Sequence, residues 1–176
     1  MNTQTPETTA LSKAQIISAL YAFAAQRGGI DPRDYGDWRA YRSESRSVTK
    51  DGKEARELLR AVELSSITAE QILAACRSAF SGRLEIVAKQ QNGETWAAVN
   101  YCTGQYFPTE YRKAVCAVCA SALWDYVRSE CMPPCVPKAG PTGGFVDTYD
   151  GLSAGDWLRR HFRRTYGRAI ASRWFA

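Results

Sequence analysis

Histidine is nearly absent from this chain: His161 is the only one in 176 residues. Any Ser-His or Cys-His nucleophile system must therefore run through that one ring. It stands between Arg160 and Phe162, and neighbouring cations disfavour protonation, so a neutral imidazole is expected at pH 7. No feature of the sequence brings a nucleophile or an orienting carboxylate to it, which leaves packing or hydrogen bonding as its expected role.

Long apolar runs are missing too. Nothing approaches the roughly eighteen consecutive apolar residues of a membrane-spanning helix. The opening MNTQTPETTA has no basic residue where a signal peptide needs a basic region followed by an apolar one, so a cytoplasmic protein is expected. There is no P-loop, no dinucleotide fingerprint and no internal repeat, and no motif calls for a cofactor.

Acidic residues are lacking in one place. Residues 157–176 hold six arginines and no acid, whereas the rest of the chain has 17 basic and 18 acidic residues and nets −1. The overall +5 is thus local, and a localised cationic face points to an anionic partner.

What is present suits one domain with a real core: 45% hydrophobic content, with five Trp, nine Tyr and six Phe. The first ten residues carry few core-forming side chains and are expected to be a mobile tail, with the domain spanning 11–176. Ser12 and Gln15 form a capping-box pattern ahead of Ile16, Leu20, Phe23 and Ala24, and Gly28-Gly29 ends that helix. Asp31-Pro32 looks like a second helix entry. From Asp37 to Glu63, Trp38, Tyr41, Ser45, Val48, Gly52, Ala55, Leu59 and Val62 recur at spacings of three and four. They predict one helix about 40 Å long at about 1.5 Å per residue. The competing turn at Lys50-Asp51-Gly52 is disfavoured because the seam keeps its phase across the glycine. Continuity implies that Gly52→Ala is neutral or stabilising.

Thr68 and Gln71 repeat the capping box before Ile72, Ala75, Cys76 and Ala79. Residues 83–89 and 95–102 flank Asn92-Gly93, the pair that supplies the positive φ angles of a tight hairpin. Residues 109–130 predict a central buried helix through Val115, Val118, Cys119, Ala122, Leu123 and Tyr126. Residues 131–144 contain four prolines and three glycines and predict a loop without regular structure. Ser153 and Asp156 open a last helix, 153–175, whose apolar side is Trp157, Leu158, Phe162, Tyr166, Ile170 and Trp174. The expected fold is α+β and mainly α: five or six helices around 109–130, with one hairpin at 83–102.

Cys116, Cys119, Cys131 and Cys135 resemble a four-thiolate zinc set by count. If 109–130 is one helix, however, Cys119 and Cys131 lie about 18 Å apart along the axis, whereas thiolates on one zinc lie within about 4 Å. Buried, reduced thiols are the expectation, and no metal. Asp31, Asp34 and Asp37 could suggest a divalent-metal nuclease site, but acids gather in first helical turns because the helix dipole favours them there. The hairpin adds only Glu85 and Lys89, about 13 Å apart on one strand. No catalytic residues are assigned, and a non-enzyme is expected.

The arginine stripes stand out more. Arg39, Arg42, Arg46, Lys50, Lys53, Arg56 and Arg60 follow one another at spacings of three and four over about 32 Å. Lys50-Glu54 and Lys53-Glu57 can neutralise the second half. Arg42-Arg46 and Arg46-Lys50 are like-charged pairs, each destabilising by a few tenths of a kcal/mol. In the last helix Arg159 and Arg163 form one i,i+4 line and Arg160, Arg164 and Arg168 another. These residues predict a non-enzymatic accessory protein that binds nucleic acid through phosphates from Arg39, Arg42, Arg46, Lys50, Arg159, Arg160, Arg163, Arg164 and Arg168, without sequence-specific readout. The rival expectation is a protein-binding inhibitor or adaptor, such as an anti-defence factor of a mobile genetic element, whose arginines engage an acidic protein surface. The alternative for the arginines of the last helix is that they pair with acids elsewhere in the fold or cap the helix C-terminus.

Overall fold

A computed structural model describes residues 10–25, 38–79, 84–101 and 108–176, with side chains except at 38, 40–49 and 108–109. In chain order the described elements are α1 (Lys13–Ala25), α2 (Trp38–Leu64), α3 (Ala69–Ala79), β1 (Leu84–Gln91), β2 (Glu94–Tyr101), α4 (Pro108–Tyr126), β3 (Val136–Ala139), β4 (Phe145–Thr148) and α5 (Ala154–Trp174). A π-helical turn, Val127–Cys131, continues α4. The fold is α+β and mainly α, with five helices among the described residues. The chain divides into two compact units, 1–119 and 120–176.

In the first unit the caps form as the sequence dictates. The Ser12 amide donates to Gln15 Oε1 at 2.8 Å and the Gln15 amide to Ser12 Oγ at 3.2 Å. Thr68 and Gln71 make the same exchange at 2.8 and 3.3 Å, so each helix start has two orphan amides satisfied. Gln15 also ties α1 to the hairpin, its Nε2 donating to the Thr95 carbonyl at 2.8 Å. β1 and β2 pair antiparallel from Leu84↔Tyr101 to Gln91↔Glu94. Asn92 (φ 51°) and Gly93 (φ 80°) make the turn between them.

Hydrophobic burial then assembles these pieces. Ile16 and Leu20 of α1, Leu58, Leu59 and Val62 of α2, Ile72 of α3, Leu84 of β1 and Val115 and Val118 of α4 are all buried. Phe23, Tyr101 and Tyr111 close an aromatic triangle from α1, β2 and α4, with centroids 4.9 to 5.9 Å apart. The edge-on contacts in it, at 79° and 80°, suit the ring quadrupoles.

α2 is one helix through Gly52, as the phase of its seam requires. Gly52, Ala55, Leu59 and Val62 are buried as predicted; the seam side chains from Trp38 to Val48 lie outside the described ones, as do Asp31, Asp34 and Asp37. The sequence did not announce what else α2 buries. Asp51 and Glu54 are only 2% and 7% exposed, and Arg112 of α4 only 5%. A Cβ added at Gly52 would lie 3.1 Å from Arg112 Nε, so glycine there makes room for a buried guanidinium. The backbone would accept alanine, as the sequence implies, but the Arg112 side chain would have to give by a few tenths of an ångström, and its freedom to do so sets the sign of the effect.

In the second unit α4 continues to bury Ala122 and Leu123, and the π-helical turn buries Val127. The Met132 amide closes that turn on the Val127 carbonyl at 3.0 Å. The predicted structureless stretch 131–144 contains β3, which pairs antiparallel with β4 from Val136↔Thr148 to Ala139↔Phe145. Its prolines do not prevent this, because a two-stranded ribbon has outer edges where a missing N–H costs no ladder bond, and Pro137 is accommodated opposite Asp147. Gly143 (φ 85°) turns the ribbon.

α5 also departs from expectation. Ser153 caps it, accepting from the Asp156 amide at 3.1 Å, but Gly167 stands at φ 81°, ψ 161° and breaks the helix in two. Chain reversal there lays Phe175 on Phe162 at 3.8 Å between centroids and 2° between planes. Trp124 stacks on Phe162 at 5.4 Å and 11°. In an unbroken helix Phe162 and Phe175 would be about 20 Å apart.

Candidate functional site

The charged residues of α5 owe their exposure to the aromatic core beneath them. Leu158, Phe162 and Ile170 are buried, and this fixes the rotation of the first helical segment so that Arg159, Arg160, Arg163 and Arg164 all face outward and are exposed. Arg159 is held by Asp156, Nη1 to Oδ1 at 2.9 Å. Among the described residues Arg160, Arg163, Arg164 and Arg168 have no ion-pair partner. Asp156 belongs to the first turn of the same helix, so among the described residues none of these five arginines is paired with an acid elsewhere in the fold. Arg168 lies beyond the break at Gly167, so the expected line Arg160-Arg164-Arg168 is two residues long rather than three.

A groove of about 450 Å³ runs beside this helix, lined by Asp150, Leu152, Trp157, Arg160, His161, Arg164 and Thr165. Its far wall is a tight turn. Asp150 (φ 50°) and Gly151 (φ 76°) both adopt positive φ, while Tyr149 and Leu152 exchange backbone hydrogen bonds at 2.8 and 3.0 Å. That is the geometry Asp-Gly favours. The Asp150-Gly151 pair in the sequence was the signal that could have found this wall. The turn points Asp150 at α5, where its Oδ2 accepts from Trp157 Nε1 at 3.3 Å.

Anchoring the indole orients the ring that follows it by one helical turn. His161 stacks on Trp157 at 5.0 Å and 16°, and meets Phe162 edge-on at 5.8 Å. Burial, and then the Arg164 guanidinium, push the His161 pKa below its ordinary 6.5. The imidazole is neutral at pH 7, with one nitrogen donating and one accepting. Across the same unit, burial foremost, with Cys131 and Tyr126 adding to it, pushes the Tyr166 phenol up to about 12, so it stays protonated.

The other stripe is less completely defined. Arg39 and Lys50 of α2 are exposed, while the side chains of Arg42 and Arg46 lie outside the described ones. Arg39 has a polar or electrostatic partner. Lys53 meets Glu57 at 3.9 Å, but Glu54, the expected partner of the exposed Lys50, is buried. The charge relief expected in this half of α2 is thus only partly available at the surface.

The expectation of buried thiols holds for the helical cysteines, whereas Cys131 is half-buried and Cys135 exposed. Cys76, Cys116 and Cys119 are buried. Burial pushes the Cys76 thiol up to about 12 and the Cys119 thiol well above its ordinary range, which suits inert core thiols. Glu85 and Lys89 are exposed on β1. No group of three or more potential metal ligands converges among the described residues, and no described helix is long and apolar enough to cross a membrane. No protein-family model, no curated protein and no solved structure matches the chain.

Proposed function

We propose that residues 120–176 bind nucleic acid, with the exposed arginines of α5 contacting phosphates and without base-specific readout. The observation that carries this reading is the outward cluster of Arg160, Arg163 and Arg164, exposed and without an acid partner among the described residues. Arg159-Arg163 and Arg160-Arg164 are like-charged i,i+4 pairs, each destabilising the free helix by a few tenths of a kcal/mol. A polyanion relieves that repulsion, and guanidinium groups match phosphate oxygens in pairs. The protein's role on this reading is non-enzymatic binding.

The test is the salt dependence of binding, measured by fluorescence anisotropy. Replacing Arg160, Arg163 and Arg164 together by glutamine should lower affinity and reduce the slope of log K against log salt by about 2 to 3, since each phosphate contact contributes about 0.7 to 0.9. The circular dichroism spectrum should not change. Absence of binding by the wild-type protein at low salt, where electrostatics are strongest, refutes the proposal.

One observation favours a second reading, an adaptor or inhibitor that binds protein. On the β3–β4 ribbon Val136 and Val146 are 58% and 51% exposed on one face and Phe145 is 82% exposed on the other, and exposed apolar surface marks protein-binding sites. A protein partner captured from extract after nuclease treatment, and released by Phe145→Ser, would support it.

A further inference from the structure

The arginines of α5 do not all face the same surroundings. Arg159 and Arg163 lie on the open side with Asp156, whereas Arg160 and Arg164 also border the groove closed by the Asp150-Gly151 turn. The groove therefore combines two guanidinium groups with a stacked Trp157–His161 pair and the Thr165 hydroxyl. Phosphate recognition needs only the first. A recess with flat rings in its wall adds a place for a base, because every base has a π-face that stacks on an aromatic ring.

We infer that this groove holds one unpaired nucleotide, its phosphate on Arg160 and Arg164 and its base against the Trp157–His161 pair, so that the protein prefers single-stranded to duplex nucleic acid. The inference rests on the nucleic-acid reading above and names the form of the ligand. Residues three and four apart on a helix face are neighbours, so Arg160, His161 and Arg164 lie within the reach of a single nucleotide. The volume, about 450 Å³, falls in the range of small-ligand sites. A base within a duplex is stacked and paired and cannot enter a recess of this kind without being flipped out, at a cost that a free strand avoids. Asp150 is the one acid lining the groove, and its Oδ2 is engaged by the indole Nε1 of Trp157. A neutral His161 can meet a base through both ring nitrogens as well as its face.

The experiment compares a fluorescein-labelled single strand with the same strand annealed to its complement, at equal salt, by anisotropy. The wild-type protein should bind the single strand about tenfold more tightly. His161→Ala should remove most of that preference by weakening single-strand binding about tenfold while duplex binding holds. Leu152→Trp, which fills the groove and changes no charge, should do the same and decides the matter if His161→Ala fails to fold. Equal wild-type affinity for the two forms, or an unchanged preference in a folded variant, overturns the groove assignment and leaves the phosphate-binding proposal standing. Binding of neither form by the wild type overturns both.

Discussion

Replacing Gly167 by alanine should destabilise residues 120–176 by about 1 to 2 kcal/mol, and the sign of that effect tests how α5 presents its arginines. Gly167 holds φ 81° and ψ 161°, and no atom lies within 4 Å of the Cβ that alanine would add. The cost is therefore backbone strain alone, about 1 to 3 kcal/mol for a side chain forced into glycine-only space. Alanine also restricts the unfolded chain, which returns about 0.4 to 1 kcal/mol. If the chain escapes the strain by straightening, Phe175 must leave Phe162, on which it lies at 3.8 Å, and burial of an aromatic side chain is lost instead. Both routes have the same sign. Urea denaturation followed by circular dichroism measures the change, and a thermal melt should fall by about 2 to 4 °C per kcal/mol for a chain of this size. Gly155→Ala is the internal control: it lies in the first turn of α5 with open space around it, so alanine there should be neutral or stabilising. A Gly167→Ala protein as stable as the wild type would refute the break and return Arg168 to the line of Arg160 and Arg164.

Two more outcomes follow from the packing. Gly52→Ala should cost about 1 to 2 kcal/mol although its backbone is helical, because the new methyl meets the buried Arg112 at 3.1 Å from Nε; a stabilised variant would show that Arg112 moves freely. His161 is titrated less easily folded than unfolded, so the unfolded state binds more protons between the folded pKa and about 6.5. Its contribution to stability is present above pH about 6.5 and is lost as pH falls through the folded value, and His161→Gln should flatten that part of a stability-against-pH profile.

The elements legible in the sequence are those whose signals act over three or four residues. Ser12 with Gln15, Thr68 with Gln71 and Ser153 with Asp156 each satisfy helix-start amides locally, so the starts of α1, α3 and α5 are marked by contacts within four residues. Asn92-Gly93 sets the first hairpin by the same local logic, and the seam of α2 carries its continuity through Gly52. Even the exposure of the α5 arginines is implied by the apolar positions between them.

Only the tertiary structure decided the rest, because it depends on what distant residues bring. A glycine among good helix formers is compatible with an unbroken helix, and it is the pairing of Phe162 with Phe175 that fits the break at Gly167. Prolines and glycines suggest a loop at 131–144, yet β4 arrives to pair with β3. Asp51 and Glu54 look like solvated charges on α2 until α4 brings a buried Arg112 alongside. The groove exists because Asp150, seven residues before Trp157, is turned back onto it. Local sequence decides where a helix begins, but which of its faces meets a partner depends on packing between segments far apart in the chain.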